Sequence, residues 1–165
     1  MRVLGVDPGS RTTGYGVVER GSHHPRLLEC GVVRPTRSAE LPGRLREIHR
    51  GLLEVIDRLE PTCVAVEGVF HGFNPRAAVV LAQARGAALL AAADRELDVA
   101  EYPPAEIKKA VVGTGAATKE QVEFMVQQHL RLRAPPAPAD AADGCAVALC
   151  HIFSGIGRVG DGVTG

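Results

Sequence analysis

Three short segments near the start of the chain have the residue pattern of β-strands. Residues 3–7 alternate toward an Asp-Pro-Gly-Ser turn signal, which predicts a first strand that ends at Asp7. Residues 14–19 and 27–34 form two more strand-like runs, separated by a loop that contains Gly21 and Pro25. Because short connections join antiparallel neighbours, these three strands are predicted to form a meander.

A helical period replaces the strand pattern after the meander. Apolar residues recur at three- and four-residue spacing from Leu41 to Leu59, which predicts an amphipathic helix that stops before Pro61. The apolar run over residues 63–66 then predicts a buried strand that ends at Glu67.

A long alanine-rich helix is predicted after this strand. Asn74 has the residue type of an N-cap and Pro75 that of a first helical turn, so the helix is expected over residues 76–97. Its residues are apolar on nearly every side. Such a helix lies in the core or is covered by a partner subunit.

The last part of the chain combines one short strand with three helices. Residues 99–102 predict the strand and residues 105–112 a short helix. Thr118 opens a capping box, which predicts a helix that continues to about residue 130. A final helix is expected over residues 140–153.

A meander followed by strand–helix crossovers predicts one α/β domain, a mixed five-stranded sheet with helices against its faces. This domain is expected over residues 1–153, and the glycine-rich residues 154–165 are expected to form a flexible tail. The 165 residues, 45% of them hydrophobic, suffice for a single core. No apolar run approaches the roughly 20 residues of a membrane span, and the N-terminus lacks a secretory pattern. A cytoplasmic protein without membrane contact is therefore expected.

Net charge and cysteine spacing exclude little about function. The 19 Lys and Arg residues balance 19 Asp and Glu residues. This balance does not exclude nucleic-acid binding, because phosphate recognition depends on a local positive field. The four cysteines lack C-x-x-C and zinc-finger spacing, which favours small reduced core residues over a redox or zinc site.

Four acidic residues stand where a metal site could form. Asp7 and Glu67 end predicted strands, and active sites favour the carboxyl ends of strands in such sheets. Asp140 and Asp143 are three residues apart and share one face of the final helix. Converging carboxylates need cations, and all-oxygen ligands suit Mg²⁺ or Mn²⁺. Taken singly, each acid is typical of a turn, a solvated strand end or a helix cap, and spacing alone does not bring the four together.

Several ordered sequence motifs extend across the chain to about His151. They are GVDPGSRTTGYG from Gly5, VAVE ending at Glu67, QARG from Gln83, VVG from Val111 with Lys119 after it, and DAADGCAVA from Asp140. This ordered set resembles the RuvC family of Holliday junction resolvases. A lone Asp-Pro-Gly-Ser would be weak, but the set as a whole is highly specific.

The resemblance implies a ribonuclease H-like fold, a homodimer and a structure-specific DNA endonuclease. Asp7, Glu67, Asp140 and Asp143 fall on the family's metal-binding and catalytic carboxylates. The implied cofactor is Mg²⁺, with Mn²⁺ as a substitute and two ions in each active site. Two active sites related by a two-fold axis would nick opposite strands of four-way junction DNA in recombination and repair. The implied partners are the branch-migration proteins RuvA and RuvB.

Further roles follow from the same resemblance. Lys119 matches a family lysine near the active site, expected to act in catalysis and phosphate binding, and Lys108 matches a second basic position. Phe70 matches an aromatic residue that stacks on unpaired bases at the junction centre, and Phe73 could share that role. Without the family, each lysine fits a solvated surface and each phenylalanine fits a core. Gly68 departs from the glutamine that the family carries after its catalytic glutamate.

Three other functions remain open at this stage. A sugar-kinase-like or ATPase-like enzyme could hold a phosphate with residues 7–10, but such enzymes usually need two similar domains around the nucleotide. A non-catalytic junction-binding protein on the same fold would be expected to lack a carboxylate, and all four are present. A relative that cuts RNA or ordinary duplexes would differ in dimer geometry, which the sequence supports only through the resemblance.

Overall fold

The structure, a computed structural model, describes residues 1–68 and 74–157 of the 165-residue chain. Within these residues the strands are β1 (Arg2–Asp7), β2 (Thr13–Glu19), β3 (Arg26–Val33), β4 (Cys63–Glu67) and β5 (Asp98–Tyr102). The helices are α1 (Leu41–Leu59), α2 (Pro75–Ala93), α3 (Pro104–Val112), α4 (Lys119–His129) and α5 (Ala139–Gly157).

The strands form one mixed sheet in the order β3-β2-β1-β4-β5. β1, β2 and β3 pair antiparallel, as the meander prediction requires, whereas β1, β4 and β5 run parallel. The parallel pairing places the carboxyl ends of β1 and β4 next to each other at one end of the sheet. The predicted mixed five-stranded sheet with flanking helices is confirmed.

Alternation along the strands divides the core into two layers. Val3 lies in the layer with α3, α4 and α5, whereas its neighbour Leu4 lies in the layer with α1 and α2. Because successive strand residues point to opposite faces, a central strand covered on both faces needs a continuous apolar run. β1 and β4 have such runs, and they are the strands that end at Asp7 and Glu67. The alternation expected for residues 3–7 was therefore wrong, although the strand itself is present.

Helix α2 ends four residues earlier than predicted, at Ala93 instead of residue 97. Glu96 has a left-handed backbone with φ of 54°. The amide of Leu97 donates to the carbonyl of Ala92, and the amide of Glu96 donates to the carbonyl of Ala93. This pair of hydrogen bonds is a Schellman motif, which usually has a glycine at the left-handed position. Because glutamate and not glycine occupies this position, the sequence did not indicate where the helix ends.

Helix α5 continues beyond its predicted end at Phe153, to Gly157. Its glycines suggested a break, but Gly155 lies within the helix. The first four residues of the predicted tail are therefore helical. Residues 158–165 lie outside the described residues, so the division into a domain and a flexible tail stays a prediction.

Helix α2 contradicts the expectation that no apolar run approaches the length of a membrane span. By length and composition this helix could cross a membrane, with a mean hydropathy of 1.3. Its alanines, such as Ala84 and Ala88, are buried in the layer that α2 shares with α1, which suits a core helix of this fold. On the other side, Val79 and Leu90 are 57% and 54% exposed. The helix therefore has one face in the core and apolar side chains on its outer face.

Candidate active site

Two acidic side chains end neighbouring parallel strands. Val6 of β1 is paired with Val66 of β4, so the next residues, Asp7 and Glu67, lie side by side at the end of the sheet. Both acids are half-buried. The predicted strand ends at Asp7 and Glu67 are therefore confirmed, and parallel pairing explains why these acids are neighbours.

Glycines allow α5 to pack against the sheet beside these two acids. A Cβ atom added at Gly14 would lie 1.8 Å from the backbone oxygen of Asp140, and one at Gly144 would lie 2.5 Å from the backbone carbon of Tyr15. Real Cβ atoms essentially never come this close to another atom, so only glycine permits this approach between helix and strand. The first turns of α5 therefore hold Asp140 and Asp143 against the end of β1.

The acids converge on an open cleft. One carboxylate oxygen from each of Asp7, Asp140 and Asp143 lies within 4.8 Å of the others. Glu67 borders the same cleft, the acidic cleft, whose volume is about 240 Å³. Besides Asp7, Glu67 and Asp143, the cleft is lined by Pro104, Ile107, Lys108, Lys119, Val122 and Ala146.

Two lysines from separate helices reach this cleft. Lys119, the first residue of α4, donates a hydrogen bond from Nζ to Asp143 Oδ2 at 2.9 Å. Thr118 caps α4 in the predicted capping box, which fixes the point where Lys119 leaves the backbone. Lys108 of α3 lines the cleft, and its positive charge lowers the pKa of Glu67.

Burial and mutual repulsion raise the carboxyl pKa values at the centre of the cleft. The pKa of Asp7 rises to about 8, first because the group is desolvated and then because Glu67, Asp143 and Asp140 carry negative charge. The pKa of Glu67 rises to about 7, again mainly through desolvation, with the charge of Asp143 adding to it. Lys119 opposes both shifts but does not cancel them. Such a group of acids ionises fully near neutral pH only if positive charge is added.

The donor set fits a hard divalent cation. Every candidate ligand atom in the cluster is a carboxylate oxygen, the ligand type that Mg²⁺ and Mn²⁺ prefer. A bound cation would also offset the repulsion that raises the pKa of Asp7. Asp7, Asp140 and Asp143 are the residues that could hold it, with Glu67 beside them.

The structure thus brings together the acids and lysines that the sequence analysis assigned to the site. The two predicted base-stacking residues, Phe70 and Phe73, lie outside the described residues. Gly68, just before them, donates its backbone N–H to the carbonyl of Tyr102 at 2.9 Å. A Cβ atom there would make only an ordinary contact, 3.5 Å from Tyr102 O, so the fold does not require glycine at this position.

A group of arginines near the same end of the sheet was not predicted from the sequence. Arg11, Arg34, Arg37 and Arg44 line a cleft of about 580 Å³. They belong to three separate segments, so no run of positive charge in the sequence predicted this group. The pairing of Thr13 with Val33 brings the segments together, and only the register of the predicted meander could have revealed it.

Comparisons with known proteins at the sequence level agree with one another. The family model described as crossover junction endodeoxyribonuclease RuvC matches residues 3–151. The protein of that name from Shewanella amazonensis is 54% identical over 149 residues, which covers 90% of this chain and 85% of the relative. Its counterpart from Vibrio vulnificus is 49% identical with the same coverage.

Comparison with solved structures points the same way. The structure of Thermus thermophilus RuvC in complex with Holliday junction substrate matches with a TM-score of 0.87 and 38% identity, over 94% of each chain. The yeast mitochondrial Holliday junction resolvase Ydc2 matches with a TM-score of 0.62 over 92% of this chain and 79% of its own, but at 11% identity it shows the fold alone. The ribonuclease H-like fold that the resemblance implied is confirmed.

Proposed function

The chain belongs to the RuvC family of crossover junction endodeoxyribonucleases, and from that membership we propose that its acidic cleft cuts four-way DNA junctions with the help of Mg²⁺. Family membership accounts for the endonuclease activity and for Holliday junctions as the substrate class. The proposal adds which residues cut, what they hold and how two copies would act together.

The convergence of three carboxylates from distant parts of the chain supports this proposal most directly. Asp7, Asp140 and Asp143 present oxygens within 4.8 Å of one another, and Glu67 borders the same cleft. Desolvating these acids costs stability, as the raised pKa of Asp7 indicates. A non-catalytic junction-binding protein would gain nothing from this cost, so the geometry favours catalysis over that alternative.

The four acids are proposed to hold two divalent ions and to orient the scissile phosphate between them. When bound, such ions supply a nucleophilic water and stabilise the charge that develops on the leaving oxygen. The open shape of the cleft leaves room for a phosphate group above the acids. Mn²⁺ is proposed as a substitute because it accepts the same oxygen ligands.

Lys119 and Lys108 are proposed to bind the non-bridging oxygens of the scissile phosphate. An ammonium group has three N–H donors, and one donor of Lys119 is used by Asp143. Two donors therefore remain for phosphate oxygens, and the side chain of Lys119 is 53% exposed, so DNA can reach it. Lys108 approaches from α3 beside Glu67 and adds a second positive charge.

Paired nicks require two active sites, for which we propose a homodimer. The outer face of α2 supports this assembly, because Val79 and Leu90 expose large apolar side chains there. A two-fold interface through this face would relate two identical clefts, one for each of two opposite strands. By family analogy, the partners are RuvA and RuvB and the compartment is the cytoplasm.

Phe70, alone or together with Phe73, is proposed to stack on unpaired bases at the junction centre. Both lie outside the described residues, so this proposal rests on the resemblance. They follow Glu67 by three and six positions, which keeps any base contact close to the cut site.

The test is to incubate the purified chain with Mg²⁺ and an end-labelled synthetic four-way junction, beside a linear duplex of the same sequence. Paired, symmetric nicks in the junction but not in the duplex are expected. Binding without cutting, across several junction sequences and with Mn²⁺ too, would favour the non-catalytic alternative. Equal cutting of both substrates would contradict junction selectivity.

A further inference from the structure

We propose that Arg11, Arg34, Arg37 and Arg44 form a second phosphate-binding site, the arginine cleft, which holds the DNA backbone of a junction arm beside the cut site. Their side chains surround a cleft of about 580 Å³, completed by Thr12 and Pro35. This inference rests on the proposed function for the identity of its ligand, DNA. Its place and charge come from the structure.

The arginine cleft concentrates positive charge in a chain whose net charge is zero. Among the residues that the structure describes, no acidic side chain lines it. Across residues 1–68 and 74–157, its four arginines take part in no ion pair. By contrast, Arg58 and Arg95 elsewhere on the surface bind Glu29 and Asp57. Unpaired guanidinium groups around one cavity create a local field that attracts a polyanion.

Two side-chain hydrogen-bond systems hold the loops of the arginine cleft in place. The buried hydroxyl of Thr13 donates to the carbonyl of Gly9 at 2.8 Å, which closes the β1–β2 loop that carries Arg11. The carboxylate of Glu47 accepts hydrogen bonds from Thr36 N at 2.7 Å and Thr36 Oγ1 at 3.2 Å. These bonds tie the segment between Arg34 and Arg37 to α1. A site whose loops are already fixed loses less conformational entropy when it binds.

One donor in the arginine cleft lacks an acceptor. The Nε atom of Arg44 is buried and has no hydrogen-bond partner within the part of the chain that the structure describes. Burying an N–H group without an acceptor is costly, so such a donor calls for an explanation. Within the same residues, the buried Nε binds no acidic partner, so the planar guanidinium fork of Arg44 stays free of an ion pair, and its geometry matches that of phosphate oxygens.

The arginine cleft lies close enough to the active site to bind the same DNA arm. Arg11 follows Asp7 by four residues, and Arg34 directly follows Val33, the partner of Thr13 at the start of β2. β3 lies two strands from β1, so the ends of these two strands are about 10 Å apart within the sheet. One DNA strand has a phosphate about every 3.4 Å along the helix axis, so this distance spans roughly three phosphates. Lys108 and Lys119 would then bind the cut phosphate while the arginine cleft holds its neighbours.

The salt dependence of DNA binding tests this proposal. The double variant Arg34→Gln and Arg37→Gln removes two exposed charges. The control Arg20→Gln removes one, as does the single variant Arg11→Gln. Arg20 is also exposed and lies at the opposite end of the sheet, where its N–H donates to the carbonyl of Met1. The dissociation constant of a labelled four-way junction is measured in EDTA over a range of salt concentrations.

The double variant is expected to bind roughly tenfold more weakly, with a slope of log affinity against log salt that is smaller by about 1.8, or about 0.9 for each lost contact. Arg20→Gln should match the wild type. Arg11→Gln, on the other loop, should independently lower the slope by about 0.9. The double variant should lose a similar amount of affinity for a linear duplex of one arm's length, because the cleft is assigned to an arm and not to the crossover.

Equal slopes for the double variant and the wild type would overturn the proposal. A loss of affinity in Arg20→Gln equal to that in Arg11→Gln would also overturn it. A loss seen with the junction but not with the linear duplex would refute the assignment to an arm. Cleavage assays on the same proteins separate this proposal from the proposed function. If the wild type and the double variant differ in slope as expected while the wild type cuts no junction, that result would support the arginine cleft and contradict the catalytic proposal.

Discussion

Lys119 Nζ donates a hydrogen bond to Asp143 Oδ2 at 2.9 Å, so the start of α4 and the first turns of α5 meet inside the acidic cleft. This hydrogen bond and the charge of Asp143 raise the pKa of Lys119 above its usual value. The lysine is therefore held as a cation. Its ammonium group is fixed in position before DNA arrives.

Replacing Lys119 with alanine should slow cleavage more than it weakens binding. The variant lacks the donors proposed to stabilise negative charge on the phosphate, and such losses lower rates by an order of 10²-fold. The measurement is the single-turnover rate at saturating junction DNA. Lys119→Arg, which keeps the charge but changes its geometry, should recover part of the rate. If Lys119→Ala cleaved at the rate of the wild type, Lys119 would be a solvated surface residue without a role in cleavage.

Two adjacent lysines on α3 offer a matched comparison. Lys108 lines the acidic cleft, whereas Lys109 is exposed and does not line it. Lys108→Ala should lower the cleavage rate at saturating DNA by about tenfold or more, because one charge near the phosphate is lost. Lys109→Ala removes the same charge one position away and should cut at nearly the rate of the wild type. Equal effects in the two variants would mean that only the general charge of α3 matters.

The metal-free protein should lose stability as the pH rises, and Asp7 should be a main cause. The pKa of Asp7 is raised from 3.8 to about 8 in the folded protein. Its contribution to stability is therefore complete below pH 3.8 and is lost as the pH rises through about 8. In EDTA at pH 8.5, Asp7→Asn should unfold at a higher temperature than the wild type, by roughly 2–4 °C for each kcal/mol of repulsion relieved.

This advantage of Asp7→Asn should shrink toward pH 5, where the native carboxyl is protonated. It should also shrink when Mg²⁺ is added at pH 8.5, because the cation stabilises the wild type by binding its folded state. Asp98→Asn is the control, since Asp98 is exposed at the start of β5, away from the cleft. If the difference in unfolding temperature between the wild type and Asp7→Asn were the same at every pH, the repulsion described for the cleft would be contradicted.

Gly144 should tolerate no side chain, whereas Gly155 in the same helix should. A Cβ atom at Gly144 would lie 2.5 Å from the backbone of Tyr15, but no atom of the described part of the chain lies within 4 Å of one at Gly155. Gly144→Ala should therefore cost about 1–3 kcal/mol or more and should lower cleavage by moving Asp143 away from Asp7. Gly155→Ala should be neutral or stabilising by up to about 1 kcal/mol, since alanine favours helices. Thermal unfolding and cleavage rates measure both, and similar results in the two variants would contradict the close helix–sheet contact.

The sheet was predictable because its central strands are buried on both faces. β1 and β4 therefore appear as continuous apolar runs, each ending at an acid, Asp7 and Glu67. The end of α2 was not predictable, because its left-handed position is occupied by Glu96 and not by glycine. Local residue types carry no signal for such a helix end.

The site was predictable only in part without the family. Spacing places Asp140 and Asp143 on one helix face, but the contact of that helix with β2 joins residues more than a hundred positions apart, such as Gly14 and Asp140. Nothing in the local pattern near Asp7 indicates which helix will lie beside it, and the family resemblance supplied that link. The arginine cleft was missed for the same reason, since its arginines meet only through strand pairing.

Cleavage by the Asp7→Asn variant tests the central claim, that the acidic cleft cuts DNA, most directly. The measurement compares the wild type, Asp7→Asn and Asp98→Asn for single-turnover cleavage of a labelled four-way junction in Mg²⁺, and for junction binding in EDTA. Asp7→Asn is expected to lower the cleavage rate by an order of 10²-fold or more while its binding stays within a few-fold of the wild type, because a ligand oxygen is lost but the DNA-binding surface is not. Asp98→Asn should match the wild type in both. Undiminished cleavage by Asp7→Asn would contradict the assignment of the active site to this cleft.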